Sequence, residues 1–190
     1  MRPPKIIALA GSNRKTSINM NALKFVVAGA SAAGAEVTLL SLADYPLPLY
    51  DGDWHAEHGV PAALLALHPQ LVAADALLVA SPEYNASITP LLKNTIDWLS
   101  QSVNGAAGNA AFAGKVVGLI GASPGGLGGI RALPHVASIF SNLGAIVLPV
   151  VAVPFANKLG LVDGEVLNER SADSLRALGA QVAKLAAHNL

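Results

Sequence analysis

Five short apolar segments, each followed by a stretch of helical periodicity, constrain the fold of this 190-residue chain more than any other feature. They predict strands at residues 6–10, 36–41, 75–80, 115–121 and 145–151. Short strands that alternate with helices are typical of right-handed crossovers and of a parallel sheet. We therefore expect one α/β domain over residues 1–190, in which helices cover both faces of a five-stranded parallel sheet of order 2-1-3-4-5.

The composition agrees with a sheet that is buried on both faces, because 53% of the residues are hydrophobic and only 13% are charged. The 12 basic residues balance 12 acidic ones, which argues against a nucleic-acid-binding protein. The lack of cysteine excludes disulfides, thiolate metal sites and thiol catalysis. The sequence has no signal peptide and no apolar run of about 18 residues, so we expect a cytoplasmic protein that does not enter membranes.

The first predicted strand ends at Gly11 and leads through a polar loop, residues 12–17, into a helical pattern that begins near Ile18. A strand that enters a helix through such a loop directs backbone N–H groups and the positive end of the helix dipole to one place. The hydroxyl groups of this loop and the guanidinium of Arg14 favour a phosphate there. The loop lacks both the Walker A motif and Gly-x-Gly-x-x-Gly. Taken alone, it is equally compatible with a simple helix cap.

Two further loops, residues 81–87 and 123–129, follow the third and fourth predicted strands. All three loops therefore lie at the carboxyl edge of the sheet, where ligands bind at the point at which the strand order reverses. In the order 2-1-3-4-5 this point lies between the first and third strands. Residues 44–59 contain prolines and glycines and are predicted to be irregular. Their aromatic side chains make this segment a candidate wall of the site.

Three groups of residues together resemble a known family. They are Gly11-Ser-x-Arg-x-x-Ser-x-Asn19, Ser81-Pro-Glu-Tyr-Asn85 with Leu92-Lys-Asn-x-Ile-Asp-Trp98, and Ser123-Pro-Gly-Gly126. In this order they resemble the NADPH-dependent FMN reductases, flavodoxin-like proteins that include quinone, chromate and azo-dye reductases. The middle group is the most specific, and the resemblance extends over nearly the whole chain. Asn13 and the Pro134-His135 pair depart from residues that are common in the family.

The resemblance implies an oxidoreductase that holds FMN and transfers hydride from NADPH or NADH to a quinone, a free flavin or a similar small acceptor. Such transfer requires no catalytic side chain and no metal ion, because the cofactor supplies the chemistry. The residues implied in cofactor binding are Ser12, Arg14, Ser17, Ile18 and Asn19 around the phosphate, Pro82, Glu83, Tyr84 and Asn85 beside the isoalloxazine ring, and Ser123, Gly125 and Gly126 at its other edge.

The three loops leave room for one substrate slot, which we expect to be walled by Tyr50, Trp54 and Tyr84. The nicotinamide and the acceptor would then use this slot in turn, which predicts a ping-pong reaction. Trp98 and Leu99 on the predicted helix 89–100 serve core or subunit packing. Exposure of these apolar side chains, in a chain with few charges, would favour contacts between subunits. We therefore expect a homodimer or homotetramer, built partly on this helix and on residues 44–59.

Two other classes of protein are open at this stage. A flavodoxin-type electron carrier would have the same fold but no enzymatic activity. Alternatively, Gly121-Ala-Ser-Pro-Gly125 matches the Gly-x-Ser-x-Gly motif of α/β-hydrolases and predicts an esterase that uses Ser123. Asp163 or Asp173, followed by His188, would complete its triad. Against this, the residue after the serine is proline, which has no N–H to donate to an oxyanion hole.

A metal site is the remaining alternative. His55 and His58 are three residues apart and would share one face of a helix. Gly52 and Gly59, however, favour a loop, and no third histidine lies near in the sequence. We therefore predict no metal site in this segment.

Overall fold

A parallel sheet of six strands lies at the centre of the structure, a computed structural model that describes residues 2–158, 161–162, 165–166 and 169–188. The strands are β1 (Lys5–Ala10), β2 (Glu36–Leu40), β3 (Ala76–Ala80), β4 (Val116–Ala122), β5 (Ile146–Val147) and β6 (Val151–Val153). Their order is β2-β1-β3-β4-β5, and β6 also pairs with β4. The predicted order 2-1-3-4-5 is therefore confirmed.

The described residues contain six α-helices. They are α1 (Ile18–Ala32), α2 (Gly52–His58), α3 (Ala62–Ala73), α4 (Pro90–Leu99), α5 (Leu133–Asn142) and α6 (Glu169–His188). On β1, the alternating side chains of Ile6 and Ala8 face α1 and α6, whereas Ile7 and Leu9 face α3, α4 and α5. The sheet is thus apolar on both faces, as predicted. None of the helices in the described residues combines the length and the apolar character needed to cross a membrane.

The fifth predicted strand, residues 145–151, is interrupted in the structure. Its first part pairs Ile146 with Val116 of β4, and its second part pairs Val151 with Ile120. Residues 148–150 therefore contain one residue more than the matching part of β4. Pro149 lies in this interruption, and it has no N–H to donate to the ladder. The second part continues to Val153 and reaches the carboxyl edge of the sheet.

Helices α1 and α6 touch backbone to backbone through two glycines. A Cβ atom added to Gly179 would lie 1.9 Å from the carbonyl oxygen of Val26, and one added to Gly29 would lie 2.0 Å from that of Arg176. No side chain fits at either position, because the obstacle is the main chain of the other helix. This crossing closes the core on the face of the sheet that carries α1, the helix at the candidate phosphate loop.

The structure corrects the expectation that residues 44–59 are irregular throughout. They contain the short helix α2, which begins after Asp51, whose side chain accepts a hydrogen bond from the N–H of Trp54 at 2.8 Å. Gly59 follows the helix with a φ of +73°, a conformation that glycine adopts without strain. The glycines thus lie at the two ends of a helix, and do not mark a loop.

The premise for a subunit contact through Trp98 and Leu99 is wrong, because these side chains are only 0% and 1% exposed. The indole N–H of Trp98 donates to the carbonyl of Pro48 at 2.8 Å. The rings of Tyr50 and Trp54 contact Trp98 edge-on, at 4.9 and 6.0 Å between centroids. Residues 44–59 therefore cover α4 within the same chain.

After β6 the structure contains a short antiparallel pair, β7 (Leu161–Val162) with β8 (Glu165–Val166). Asp163, a candidate for the hydrolase triad, lies outside the described residues. The turn that precedes this pair, at Ala156–Lys158, is a short 3-10 helix.

Candidate functional site

A cavity of about 180 Å³ lies at the carboxyl edge of the sheet, between the loops that follow β1, β3 and β4. It brings together most of the residues that the sequence predicts for a cofactor. Its lining consists of Ser12, Arg14, Ser17, Ile18, Asn19, Pro82, Glu83, Tyr84, Ala122, Ser123 and Pro124. Among the described residues, the predicted Asn85, Gly125, Gly126, Tyr50 and Trp54 are not part of this lining.

The loop after β1 is both a helix cap and a candidate anion site. Ser17 is the N-cap of α1, and its hydroxyl accepts a hydrogen bond from the N–H of Met20 at 3.2 Å. The N–H groups of Ile18 and Asn19 have no acceptor in the described part of the chain. They lie at the N-terminus of α1, beside the cavity, where the helix dipole is positive. The exposed Arg14 adds a full positive charge to the same edge.

The side chain of Asn19 has a structural task that limits its part in ligand binding. Its amide donates to the carbonyl of Ala122 at 2.8 Å and accepts from the N–H of Ala122 at 3.0 Å. Asn19 is only 5% exposed. These two hydrogen bonds join the start of α1 to the end of β4, and both residues line the cavity. The expected contact of Asn19 with a phosphate is therefore restricted to its backbone N–H.

Thr89 supports the same loop, although sequence reasoning did not select it. Its hydroxyl donates to the carbonyl of Gly11 at 2.8 Å and accepts from the N–H of Leu92 at 3.3 Å, so it also caps α4. A Cβ atom at Gly11 would lie 2.8 Å from the Cβ of Leu92. Glycine thus lets α4 approach the loop closely. A threonine before Pro90 signals a helix start, but nothing local indicates its bond to Gly11.

The loop after β3 presents Tyr84 through a tight turn. Tyr84 and Ser87 exchange backbone hydrogen bonds of 3.0 and 3.1 Å. Between them, Asn85 and Ala86 have φ values of 51° and 61°. Two successive left-handed residues define a type I′ turn, in which asparagine is favoured at the first position. The turn leaves Tyr84 half exposed at the cavity, and it gives Asn85 a conformational role.

An ion pair joins the loops that follow β3 and β4. The carboxylate of Glu83 accepts hydrogen bonds from the N–H of Arg131 at 3.0 Å and from its Nε at 2.7 Å. The Arg131 side chain lowers the pKa of Glu83 mainly by this hydrogen bond, and the backbone N–H groups of Arg131 and Ala132 act in the same direction. The resemblance implies Glu83 beside the isoalloxazine ring, but it does not include Arg131, which is an ordinary surface arginine when only its neighbours in the sequence are considered.

We expect Glu83→Gln to lower the free energy of unfolding at pH 7 by about 1–2 kcal/mol, because it removes a charge-assisted pair whose guanidinium is partly solvent-screened. The folded-state pKa of Glu83 is lowered. Its stabilisation is therefore full above about pH 4.3, the unfolded value, and is lost as the pH falls through the folded value. Urea unfolding of the FMN-free protein at pH 7 and pH 3.5 measures this.

A matched control is Glu57→Gln, because the carboxylate of Glu57 is 79% exposed and its nearest partner is His58 at 4.0 Å. We expect no measurable change for this variant. Equal destabilisation of the Glu83 variant at both pH values would contradict the role assigned to the ion pair.

The geometry does not support the hydrolase interpretation. The hydroxyl of Ser123 donates to the carbonyl of Gly125 at 3.2 Å. Asp173 forms an ion pair with Arg176 at 2.8 Å, and Nδ1 of His188 lies 2.7 Å from the carbonyl of Lys184. None of the described histidines is hydrogen-bonded to Ser123, so the described part of the chain provides no general base for it.

The histidines of α2 are occupied in packing. His58 stacks on Trp54 with 4.5 Å between ring centroids, and its Nδ1 lies 3.0 Å from the carbonyl of Trp54. The ring of His55 contacts Trp98 edge-on at 5.1 Å. The described residues contain no group of three or more histidine, cysteine, aspartate or glutamate side chains arranged to hold a metal ion.

The donor set at the cavity fits a phosphate-bearing cofactor such as FMN. Unpartnered N–H groups at the start of α1, the hydroxyls of Ser12 and Ser17, and the guanidinium of Arg14 are all suited to an anion. Pro82 and Tyr84 add apolar surface to the same lining, which suits a planar ring. A doubly wound sheet with such a site at its switch point defines a flavodoxin-like nucleotide-binding protein.

Comparisons with known proteins specify the class further. The sequence model of the family described as NADPH-dependent FMN reductase matches residues 4–159. A quinone reductase of Escherichia coli is 35% identical over 174 residues, which are 90% of this chain and 89% of that protein. An NAD(P)H-dependent FMN reductase of Pseudomonas aeruginosa is 33% identical, with the same coverage.

A solved structure gives the same result. The flavoenzyme NAD(P)H:(acceptor) oxidoreductase of Paracoccus denitrificans superposes with a TM-score of 0.80 at 25% sequence identity, covering 97% of this chain and 98% of that one. The chain belongs to the NADPH-dependent FMN reductase family, which confirms the resemblance. It is an oxidoreductase that uses FMN and NAD(P)H, and a non-enzymatic electron carrier is the less supported alternative.

Proposed function

We propose that this enzyme binds one FMN in the cavity at the carboxyl edge and uses NAD(P)H to reduce small quinones. The observation that carries the proposal is the convergence of Arg14, Ser17 and Tyr84 on one cavity from two loops that are far apart in the sequence. The similarity to a quinone reductase supports the acceptor class.

The residues of the chain bind and orient the cofactor and the substrates, since the bound FMN supplies the acceptance and release of hydride. In this proposal Ser12, Arg14 and Ser17 bind the phosphate, together with the N–H groups of Ile18 and Asn19. Charge-assisted hydrogen bonds to a phosphate are strong, and Arg14 can offer two of them in parallel.

The remaining predicted residues hold or cover the ring. We propose that Pro82, Glu83 and Tyr84 flank it, with the Glu83 carboxylate engaged by Arg131 and unavailable for proton transfer. Ser123, Gly125 and Gly126 would approach its other edge, where the lack of a side chain on glycine allows close contact. Tyr50 and Trp54 are left out of the substrate slot, because both rings pack on Trp98.

A ping-pong pattern tests the proposal. The three loops enclose one opening, so NADPH and a quinone would occupy it in turn. We expect parallel lines in double-reciprocal plots of rate against NADPH concentration at several fixed concentrations of 1,4-naphthoquinone. Intersecting lines would indicate a ternary complex and contradict the shared opening. If the FMN-loaded protein oxidises neither NADPH nor NADH, the proposed function itself is wrong.

We also propose that the enzyme is a homodimer or homotetramer. The observation that supports this is Leu49, whose side chain is 81% exposed in the segment that covers α4. Contact with a second subunit would remove this apolar side chain from water, which is favourable. Light scattering at micromolar concentration should give at least twice the 19.3 kDa of one chain, and a mass near 19.3 kDa would rule this out.

A further inference from the structure

Phe155 has an unusual combination of conformation and exposure. Its φ is +52°, and its side chain is 52% exposed. The left-handed region is uncommon for residues other than glycine, and for a bulky residue it is an outlier. A large apolar ring is therefore held in solvent by a strained backbone. Strain of this kind persists where the surrounding structure imposes it, and it is concentrated at ligand-binding sites.

The loop after β4 imposes the left-handed conformation on Phe155. The N–H of Phe155 donates to the carbonyl of Gly125 at 3.1 Å, and the N–H of Ala156 donates to that of Ser123 at 2.9 Å. A Cβ atom at Gly126 would lie 3.4 Å from Cζ of Phe155. The ring thus lies against Gly126, two residues after Pro124 in the cavity lining. Main-chain hydrogen bonds thus attach Phe155 to the loop after β4, which forms one wall of the cavity.

Phe155 belongs to a set of exposed apolar side chains that follows this wall. We name Tyr84, Leu127, Ile130 and Phe155 the apolar rim; their exposed fractions are 52%, 53%, 38% and 52%. Leu127 and Ile130 continue the loop on which Phe155 lies. The next residue, Arg131, is bonded to Glu83, which directly precedes Tyr84. Hydrogen bonds therefore connect all parts of the rim to the two loops that border the cavity.

We propose that Phe155 determines specificity for the electron acceptor, by offering its ring as a contact surface for flat, apolar quinones that enter over the rim. This inference rests on the proposed function and adds the residue that selects the acceptor. A hydrophilic acceptor such as ferricyanide gains nothing from an aromatic contact, whereas a naphthoquinone ring does. An aromatic pair contributes about a 3- to 10-fold difference in affinity beyond area burial.

The test compares 1,4-naphthoquinone with ferricyanide in Phe155→Ala and Phe155→Asn. Both variants lack the ring, but asparagine accepts the left-handed conformation better than alanine. We compare kcat/KM for naphthoquinone with kcat/KM for ferricyanide. In both variants we expect the ratio of these two values to fall about 3- to 10-fold, because KM for naphthoquinone rises. Equilibrium dialysis of naphthoquinone with the oxidised, FMN-loaded protein should show the same loss. Phe155→Tyr, which keeps the ring, should retain the wild-type ratio.

Thermal unfolding separates this role from a structural one. The Tm of the asparagine variant should exceed that of the alanine variant by about 2–4 °C, while their acceptor ratios agree. An unchanged ratio in both variants would overturn the inference, as would a loss of ratio accompanied by a change of oligomeric mass. If the wild-type enzyme reduces ferricyanide but no quinone, the proposed acceptor class fails first, so the two failures are distinguishable.

Discussion

The variant Gly179→Ala is expected to unfold about 6–12 °C below the wild-type protein. A Cβ atom at this position would lie 1.9 Å from the carbonyl oxygen of Val26 and 2.8 Å from the backbone N of Ala30. Main-chain atoms within a helix cannot move aside as the end of a flexible side chain can, so α6 must move away from α1. Overpacking of this severity costs about 3 kcal/mol, and each kcal/mol lowers Tm by about 2–4 °C in a chain of this length.

The matched control is Gly52→Ala. Gly52 begins α2, and a Cβ atom there would have nothing within 4 Å. Alanine is the better helix former, so this variant should be as stable as the wild type or about 0.5–1 kcal/mol more stable. Calorimetry of both variants measures the difference. A Gly179 variant that melts within 2 °C of the wild type would show that the close crossing of α1 and α6 is wrong.

Arg14→Ala is expected to weaken FMN binding by about 10- to 150-fold. The guanidinium lies at the cavity beside the start of α1, where it can form a charge-assisted and bidentate pair with a phosphate. Loss of such a pair costs about 1.5–3 kcal/mol, which corresponds to that range. Titration of the FMN-free protein, followed by flavin fluorescence, gives the affinity.

Lys15→Ala is the control for Arg14, because Lys15 is the neighbouring exposed cation and is not part of the cavity lining in the described residues. It should change the affinity less than about threefold, as expected for a solvent-screened charge. Unchanged FMN affinity in the Arg14 variant would remove that residue from the phosphate site. Equal losses in both variants would indicate a general effect of charge.

The fold and the cavity are largely predictable from the sequence because both depend on local patterns. Buried parallel strands are continuous apolar runs, as residues 6–10 and 76–80 illustrate, and their ends are marked by polar or glycine-rich loops. Topology then brings these loops to one edge. The resemblance added the cofactor, and nine of its twelve implied residues line the cavity.

The hydrogen bonds that join the loops to distant parts of the chain are not predictable from local sequence patterns. Asn19 bonds a residue 103 positions away, Thr89 one 78 positions away and Glu83 one 48 positions away. Each of these side chains has an ordinary local explanation, as a cap or a surface charge. The identity of the partner depends on the packed geometry of elements that are distant in the chain.

Two predictions from local sequence are wrong because contacts with distant parts of the chain override them. Gly52 and Gly59 favour a loop when only the local sequence is considered, whereas the side chain of Asp51 starts a helix between them. The prediction that Trp98 and Leu99 are exposed is wrong because residues 44–59 cover α4, and both side chains are buried. In both cases tertiary context outweighs residue preference. The division of the single strand predicted at residues 145–151 has a local reason instead, because Pro149 has no N–H to donate to the ladder.

The affinity ratio between FMN and riboflavin tests the central claim most directly, because the two flavins differ only in the phosphate. If the loop after β1 is the phosphate site, the FMN-free protein should bind one FMN per chain at least about 100-fold more tightly than riboflavin. Arg14→Ala should reduce this ratio by the same factor of about 10 to 150 by which it weakens FMN binding, with riboflavin affinity unchanged. Equal affinities of the wild-type protein for FMN and riboflavin would contradict the account.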